Sequence, residues 1–158
     1  MSSFLVAIKF LLVLLTSTLA VPEIWAEPVP YFLDKRANNY VVPLSERGSG
    51  HRGIDIVAGS ERISSPVNGT VVFNDSVAHR RVLSLSYGPY RISLEPLCSE
   101  LEIGTRVSAG EVIGHYCYGE DGYVEHCEKC VHLSVRTSRG YLNPLLFYGQ
   151  LNPSRIVG

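Results

Sequence analysis

Two histidines and an aspartate stand at spacings that suit a shared metal ion. His51 and Asp55 lie four positions apart in the run GHRGIDIV, and His132 follows far downstream in the run VHLSV. Alternate residues of an extended backbone face the same side, so His51 and Asp55 can share one face, with Gly53 midway between them leaving room for an ion. Two imidazoles, one carboxylate and a fourth position open to water describe a catalytic-type zinc site.

The same three residue types have a plainer interpretation. A His-x-Gly-x-Asp run taken alone favours a histidine at a buried strand edge and an aspartate in a turn, because both are common in strand-rich domains. The surrounding chain reverses that preference, because it contains the further motifs described below.

The elements that must position these residues are predicted to be strands. From Ile54 onward, short stretches rich in Val, Ile, Leu and Tyr are divided by Gly, Pro and Asn turn signals, and no window holds helical periodicity with caps. The sequence therefore predicts an all-β domain, a small antiparallel β-sandwich or open barrel. The predicted strands are 54–58, 69–73, 81–87, 91–97, 107, 112–116 and 131–135.

Four segments, in order, resemble the lysostaphin/LytM-type zinc endopeptidases that cut peptidoglycan cross-bridges. They are GHRGID at 50–55, SSPVNGTVV at 64–72, IGTRVSAGEVIG at 103–114 and VHLSVR at 131–136. The resemblance covers roughly residues 40 to 148, and it implies a β domain of the LytM type with bound Zn²⁺. The three matching zinc ligands are His51, Asp55 and His132. A Glu-Pro strand and a Cys-x-x-Cys beside the last ligand are similar to the secreted actinobacterial branch of these proteins.

Two departures from the family pattern concern the groups around the metal. Cys130 stands where the family has the first histidine of His-x-His, and Pro96 stands where it has the histidine of a Tyr-Ala-His-Leu strand. A proline cannot transfer a proton, so the resemblance implies an intact set of metal ligands with altered catalytic groups around it. Two other side chains are candidates for the catalytic role, His126 and Glu95. His126 has a plain alternative as an exposed loop histidine, and strict alternation would point Glu95 away from the face that carries position 96.

The chain begins with an export signal. An apolar run from Phe10 to Ala20 follows Lys9, with candidate cleavage sites after Ala20 and after Ala26. We therefore predict a signal peptide at 1–26, or an N-terminal membrane anchor if it is not cleaved. Next come a linker and lead-in loop at 27–50, the LytM-like domain at 51–149 and a frayed tail at 150–158. The expected location is secreted or cell-wall associated.

Export also decides how the four cysteines are interpreted. An even number in an oxidising compartment indicates disulfides, but four cysteines allow three pairings and the sequence alone selects none. We favour Cys127–Cys130, which closes a tight loop before His132, and Cys98–Cys117, which joins two consecutive strand regions. The rival interpretation of Cys127-x-x-Cys130 as half a zinc knuckle lacks a second Cys-x-x-Cys to complete it.

Charge and composition limit the partners. A formal net charge of −1 gives no electrostatic basis for binding nucleic acid, and an apolar fraction of 46% can supply a core for one domain. Two functions remain for an expected monomer. The first is a secreted zinc metalloendopeptidase that hydrolyses the peptide cross-links of peptidoglycan. The alternative is a catalytically lapsed module that binds wall peptide or regulates another cell-wall hydrolase.

Overall fold

The protein is built from antiparallel strands in the computed structural model, which describes residues 24–45, 48–59, 62–119 and 127–151. Residues 1–23, His126 and residues 152–158 lie outside these ranges. In the described part of the chain, no helix has both the length and the apolar character needed to cross a membrane.

The described residues form ten strands and one short 3-10 helix, which confirms the predicted all-β class. The helix spans Pro144–Tyr148 and is capped by the Asn143 side chain, which accepts a hydrogen bond from the Leu145 backbone N–H. The strands are β1 (Arg36–Asn38), β2 (Gly53–Val57), β3 (Arg62–Ser64), β4 (Gly69–Val77), β5 (Arg80–Tyr87), β6 (Tyr90–Glu95), β7 (Arg106–Val107), β8 (Val112–His115), β9 (Cys130–Thr137) and β10 (Gly140–Leu142).

One sheet organises the domain. Its strand order is β1-β2-β9-β6-β5-β4-β7, with β10 also paired to β9, and a separate two-stranded sheet joins β3 to β8. Every strand pair is antiparallel. The central position of β9 means that its side chains have neighbours from β2 on one side and from β6 on the other.

The central strands have one apolar face and one polar face. Alternation along each strand sends leucine and isoleucine side chains into a core in which Leu83, Leu94 and Leu133 are fully buried. Residues directly opposite each other in the register share a face, so the intervening positions gather on the other side of the sheet. We call that side the ligand face, and its members are Gly53, Asp55, Ser84, Ser93, Glu95, His132 and Ser134.

Both favoured disulfides are present. Cys98 is bonded to Cys117 and Cys127 to Cys130, with a Cα–Cα distance of 5.6 Å in each pair. The first joins the chain after β6 to the chain after β8, and the second closes the turn that enters β9. No cysteine is left as a free thiol.

Part of the segment before β2 packs into the core. Trp25 is 5% exposed and stacks on Phe147 with ring centroids 4.0 Å apart, while Val29 and Phe32 are fully buried. The Trp25 backbone N–H donates to the Phe147 carbonyl at 3.0 Å. The N-terminal segment is therefore fastened to the 3-10 helix at the other end of the domain.

Replacing Trp25 by alanine is expected to lower the free energy of unfolding by about 3–5 kcal/mol, the usual result of emptying a buried tryptophan site. Urea denaturation followed by circular dichroism measures the change. Ile24→Ala is the matched control, because Ile24 is 69% exposed and its loss removes little buried surface. Equal stability of the two variants would contradict the assignment of Trp25 to the core.

Candidate metal centre

His51, Asp55 and His132 meet on the ligand face. Asp55 on β2 pairs directly with His132 on β9, and His51 lies four residues before Asp55, in an isolated bridge with Val41 just before β2. The Asp55 Oδ1 atom is 2.7 Å from His132 Nδ1 and 3.2 Å from His51 Nε2. One candidate ligand atom from each residue lies within 4.8 Å of the other two. The structure thus brings together all three predicted ligands.

The hydrogen bonds of His51 indicate that a cation belongs between these atoms. Its Nδ1 lies 2.7 Å from the Asn39 carbonyl oxygen, which only accepts, so Nδ1 carries the hydrogen. In the neutral ring the Nε2 lone pair then faces the Asp55 Oδ1 atom, another acceptor. Two acceptors in contact are stabilised by a proton or a metal ion between them. The donor set of two imidazoles and a carboxylate is the one that zinc prefers.

Asn38 completes the support of the carboxylate. Its Nδ2 donates to Asp55 Oδ2 at 2.8 Å, which leaves Oδ1 facing the two histidines. Outer partners of this kind fix the orientation of metal ligands. Asn38 and Asn39 belong to β1 and the residue after it, which the sequence analysis assigned to a linker and lead-in loop.

The surroundings of Asp55 keep its carboxyl group ionised. Burial raises its pKa, but the hydrogen bonds from His132 and Asn38 and the nearby imidazoles lower it, and the net pKa lies below the ordinary value. Metal ligation requires the ionised carboxylate, and Asp55 supplies it at neutral pH.

Gly53 gives space to a ligand rather than to the ion itself. A Cβ atom added at Gly53 would lie 2.6 Å from His132 Nε2, and it would collide with the Leu133 carbonyl oxygen. From the sequence we expected the missing side chain of Gly53 to leave room for a metal ion. The structure shows that the absence of a side chain lets the His132 ring and the β9 backbone approach β2.

Replacing Asn38 by alanine is expected to weaken zinc binding by about 10–100-fold, the usual effect of removing a partner of a metal ligand. Competition with a chromophoric chelator measures the affinity. Asn68→Ala is the control, because the Asn68 side chain accepts from the Ala109 backbone N–H at 2.9 Å, away from the ligands. Unchanged affinity in the Asn38 variant would remove this residue from the metal centre.

Glu95 lies in the same row as the ligands. It is the last residue of β6 and stands directly opposite His132, which itself stands opposite Asp55. Glu95 is therefore on the ligand face, one strand beyond His132, while Pro96 follows the end of the strand. Of the two predicted catalytic residues, Glu95 is brought next to the centre, and His126 lies outside the described residues.

Cys130 also belongs to this neighbourhood but offers no proton. It precedes His132 by two residues on β9, is 6% exposed and is bonded to Cys127. A disulfide sulfur is neither an acid nor a base at ordinary pH. The remaining described histidines, His79 and His115, are exposed in a turn and at the end of β8, away from the cluster.

A cavity of about 1050 Å³ opens beyond the metal ligands. Its lining includes Gly59, Cys98 and Lys129, which lie where the chain leaves β2, leaves β6 and enters β9. These are the three strands that carry Asp55, Glu95 and His132. Each of these lining residues is three or four positions along the chain from Asp55, Glu95 or His132, which corresponds to about 10–13 Å at the usual rise of a strand.

The tyrosines divide between packing and this cavity. Tyr116 and Tyr118 line it, with ring centroids 5.5 Å apart. Tyr87 and Tyr90 instead contact the Trp25 ring edge to face. The cavity thus has an aromatic wall suited to an extended chain molecule.

Solved structures of known proteins share this architecture. The chain superimposes on SpoIIQ of the SpoIIQ–SpoIIIAH pore forming complex with a TM-score of 0.63 and 21% identity, covering 82% of this chain and 94% of that one. A zinc containing peptidase from Vibrio cholerae superimposes with a TM-score of 0.60 and 16% identity, covering 77% of this chain and 39% of that one. Lysostaphin superimposes with a TM-score of 0.57 and 19% identity, covering 78% of this chain and 57% of that one. The chain has the LytM-type fold.

Proteins related in sequence match only part of this chain and less than half of their own length. The chain is 34% identical over 105 residues to the uncharacterized protein Rv2891 of Mycobacterium tuberculosis, which corresponds to 61% of this chain. It spans 40% of the length of that relative, and a Mycobacterium bovis protein matches in the same way. No protein-family model matches the chain.

Proposed function

We propose that this protein is a zinc metalloendopeptidase that hydrolyses peptide cross-links of peptidoglycan. The observation that carries the proposal is the His51–Asp55–His132 cluster on a LytM-type fold, where a proton or a metal ion between Nε2 of His51 and Oδ1 of Asp55 would stabilise their contact. Lysostaphin and a zinc containing peptidase have the same fold. Of the four segments that resemble the family, 50–55 and 131–136 carry the three predicted ligands, and 103–114 ends in residues that line the cavity.

His51, Asp55 and His132 would hold the zinc ion, with Asn38 and the Asn39 carbonyl fixing the first two ligands. When bound, zinc supplies a nucleophilic water at neutral pH and polarises the peptide carbonyl. The polar ligand face and the adjoining cavity supply the surface on which the peptide strand lies. Lys129 and Arg62 bring two positive charges to that cavity and Glu100 one negative charge, and the positive excess favours peptides carrying carboxylates.

Peptide hydrolysis needs a group that moves one proton. The water oxygen bonds to the carbonyl carbon, the C–N bond breaks, and a proton passes from the water to the leaving nitrogen. We assign this proton transfer to the Glu95 carboxylate, because Glu95 stands directly opposite His132 on the neighbouring strand. His126 is the other candidate for this role.

A specific observation also favours the alternative function. Cys130 on the ligand face is closed in a disulfide, and one protein of the same fold belongs to a pore forming complex with SpoIIIAH. A lapsed module would use the same cavity to bind wall peptide or another cell-wall hydrolase without cutting. The retained metal ligands and their outer partners favour the enzyme, because binding alone has no need for them.

Export is part of the proposal, and the core limits where a leader can end. Cleavage after Ala26 would remove Trp25, a buried residue stacked on Phe147. Cleavage after Ala20 keeps it. We therefore propose that the mature secreted chain includes Trp25, which N-terminal sequencing of the exported protein checks.

The test of function is digestion of purified peptidoglycan followed by end-group analysis. An endopeptidase releases new amino groups without new reducing sugar ends. The expected result is a rise in amino groups with the wild-type protein and none with the Asp55→Ala variant. If the wild-type protein binds the polymer and neither sample releases new amino groups, the peptidase function is wrong and the binding function takes its place.

A further inference from the structure

Arg80 forms an ion pair at the border of the ligand row. Its Nη2 donates to Glu95 Oε1 at 2.9 Å, and the side chains are 28% and 18% exposed. In the register of β5 and β6, Leu83 stands opposite Leu94, so Val82 stands opposite Glu95 and Arg80 lies two residues beyond on the same face. A long side chain reaches such a diagonal neighbour.

This pair closes a row of charged and ionisable groups that crosses four adjacent strands. The order is Asp55 on β2, His132 on β9, Glu95 on β6 and Arg80 on β5. Glu95 is the last residue of β6, three residues before Cys98 in the cavity lining, and Arg80 is the first residue of β5. A peptide running from the cavity to the metal ligands would therefore pass beside the pair.

Stability alone is a weak reason for the contact. Partly exposed ion pairs contribute little to stability, because solvent screens them and both side chains lose freedom. An arginine does, however, fix the direction of a carboxylate, because its N–H donors lie in one plane and form good hydrogen bonds only over a narrow range of geometries. Within the described residues, Arg80 is the side chain that donates to Glu95.

We propose that Arg80 is a positioning residue, which holds the Glu95 carboxylate at the junction of the metal ligands and the cavity. This inference rests on the proposed peptidase function and adds to it the residue that orients the proton acceptor. Its contribution lies in geometry, because a displacement of about 1 Å at a reacting group can lower the rate about 100-fold.

The test compares kinetics and substrate binding in the zinc-loaded protein. Arg80→Ala is expected to lower kcat about 10–100-fold, with KM, zinc content and co-sedimentation of the metal-free protein with peptidoglycan unchanged. Arg80→Lys keeps the charge without the planar fork and recovers part of the rate. In a Glu95→Ala background, Arg80→Ala has no further effect. Arg81→Ala is the matched control, since Arg81 is the next residue of β5 and lies 3.9 Å from Asp75.

Three outcomes would overturn the inference. If Arg80→Ala is as active as Arg81→Ala, the proposed peptidase stands and Arg80 has no part in it. If Arg80→Ala and Arg80→Lys lose zinc and melting temperature in parallel, the role is structural. If the wild-type protein releases no amino groups from peptidoglycan, the peptidase function fails first and removes the step that Arg80 would serve.

Discussion

Replacing His132 by alanine is expected to give the largest loss of zinc affinity. The change removes one of the three proposed zinc ligands, the imidazole that lies 2.7 Å from Asp55 Oδ1. Loss of an outer partner costs about 10–100-fold in metal affinity, and the loss of a ligand exceeds it. Competition titration with a chelator measures the effect, and release of amino groups from peptidoglycan is expected to stop.

A histidine outside the cluster provides the control for this change. His79 has a backbone φ of 68° in the turn between β4 and β5, so asparagine, which tolerates that conformation, is the suitable replacement. His79→Asn is expected to bind zinc as the wild type does. If His132→Ala retains wild-type affinity, the zinc ligands have been assigned to the wrong residues.

Adding a methyl group at Gly53 is expected to disturb the fold and the site together. The new Cβ would meet the Leu133 carbonyl oxygen and lie 2.6 Å from His132 Nε2. Because Leu133 contributes backbone, the conflict cannot be relieved by a rotamer change, and β2 and β9 must separate. We expect about 1–3 kcal/mol of lost stability, typical of overpacking, and weaker zinc binding in the same variant.

Gly88→Asn separates this effect from the general cost of replacing a glycine. Gly88 has a φ of 53°, and a Cβ there would meet no atom within 4 Å. Asparagine adopts that conformation, so zinc affinity should remain at the wild-type value. Zinc affinity that is equal in Gly53→Ala and the wild type would show that the strands accommodate the methyl group.

The sequence predicted the central strands and the ligand set for clear physical reasons. Alternation in Val82-Leu83-Ser84-Leu85-Ser86 places leucines in the core and serines on the ligand face, as β5 shows. The spacing of His51 and Asp55 reflects the same period of two. His132 required the resemblance to a family, since nothing in the local sequence says which distant strand lies beside β2.

Other parts of the site carried no sequence signal. β1, β3 and β10 have three residues each, too few to show a period, so Asn38 could not be placed beside Asp55 in advance. Arg80 and Glu95 are fifteen positions apart, and only the register of β5 with β6 brings them together. Trp25 was assigned to the signal peptide because, near the N-terminus, an apolar residue of a signal peptide cannot be told from an apolar core residue by its type.

The central claim is that one zinc ion at His51, Asp55 and His132 supports peptide hydrolysis. The most direct measurement is release of amino groups from purified peptidoglycan by the wild-type protein before chelation, after chelation and after return of one equivalent of zinc. We predict activity, its loss and its recovery in that order. Activity that persists in the chelated protein, after elemental analysis has shown that zinc is gone, would contradict the claim.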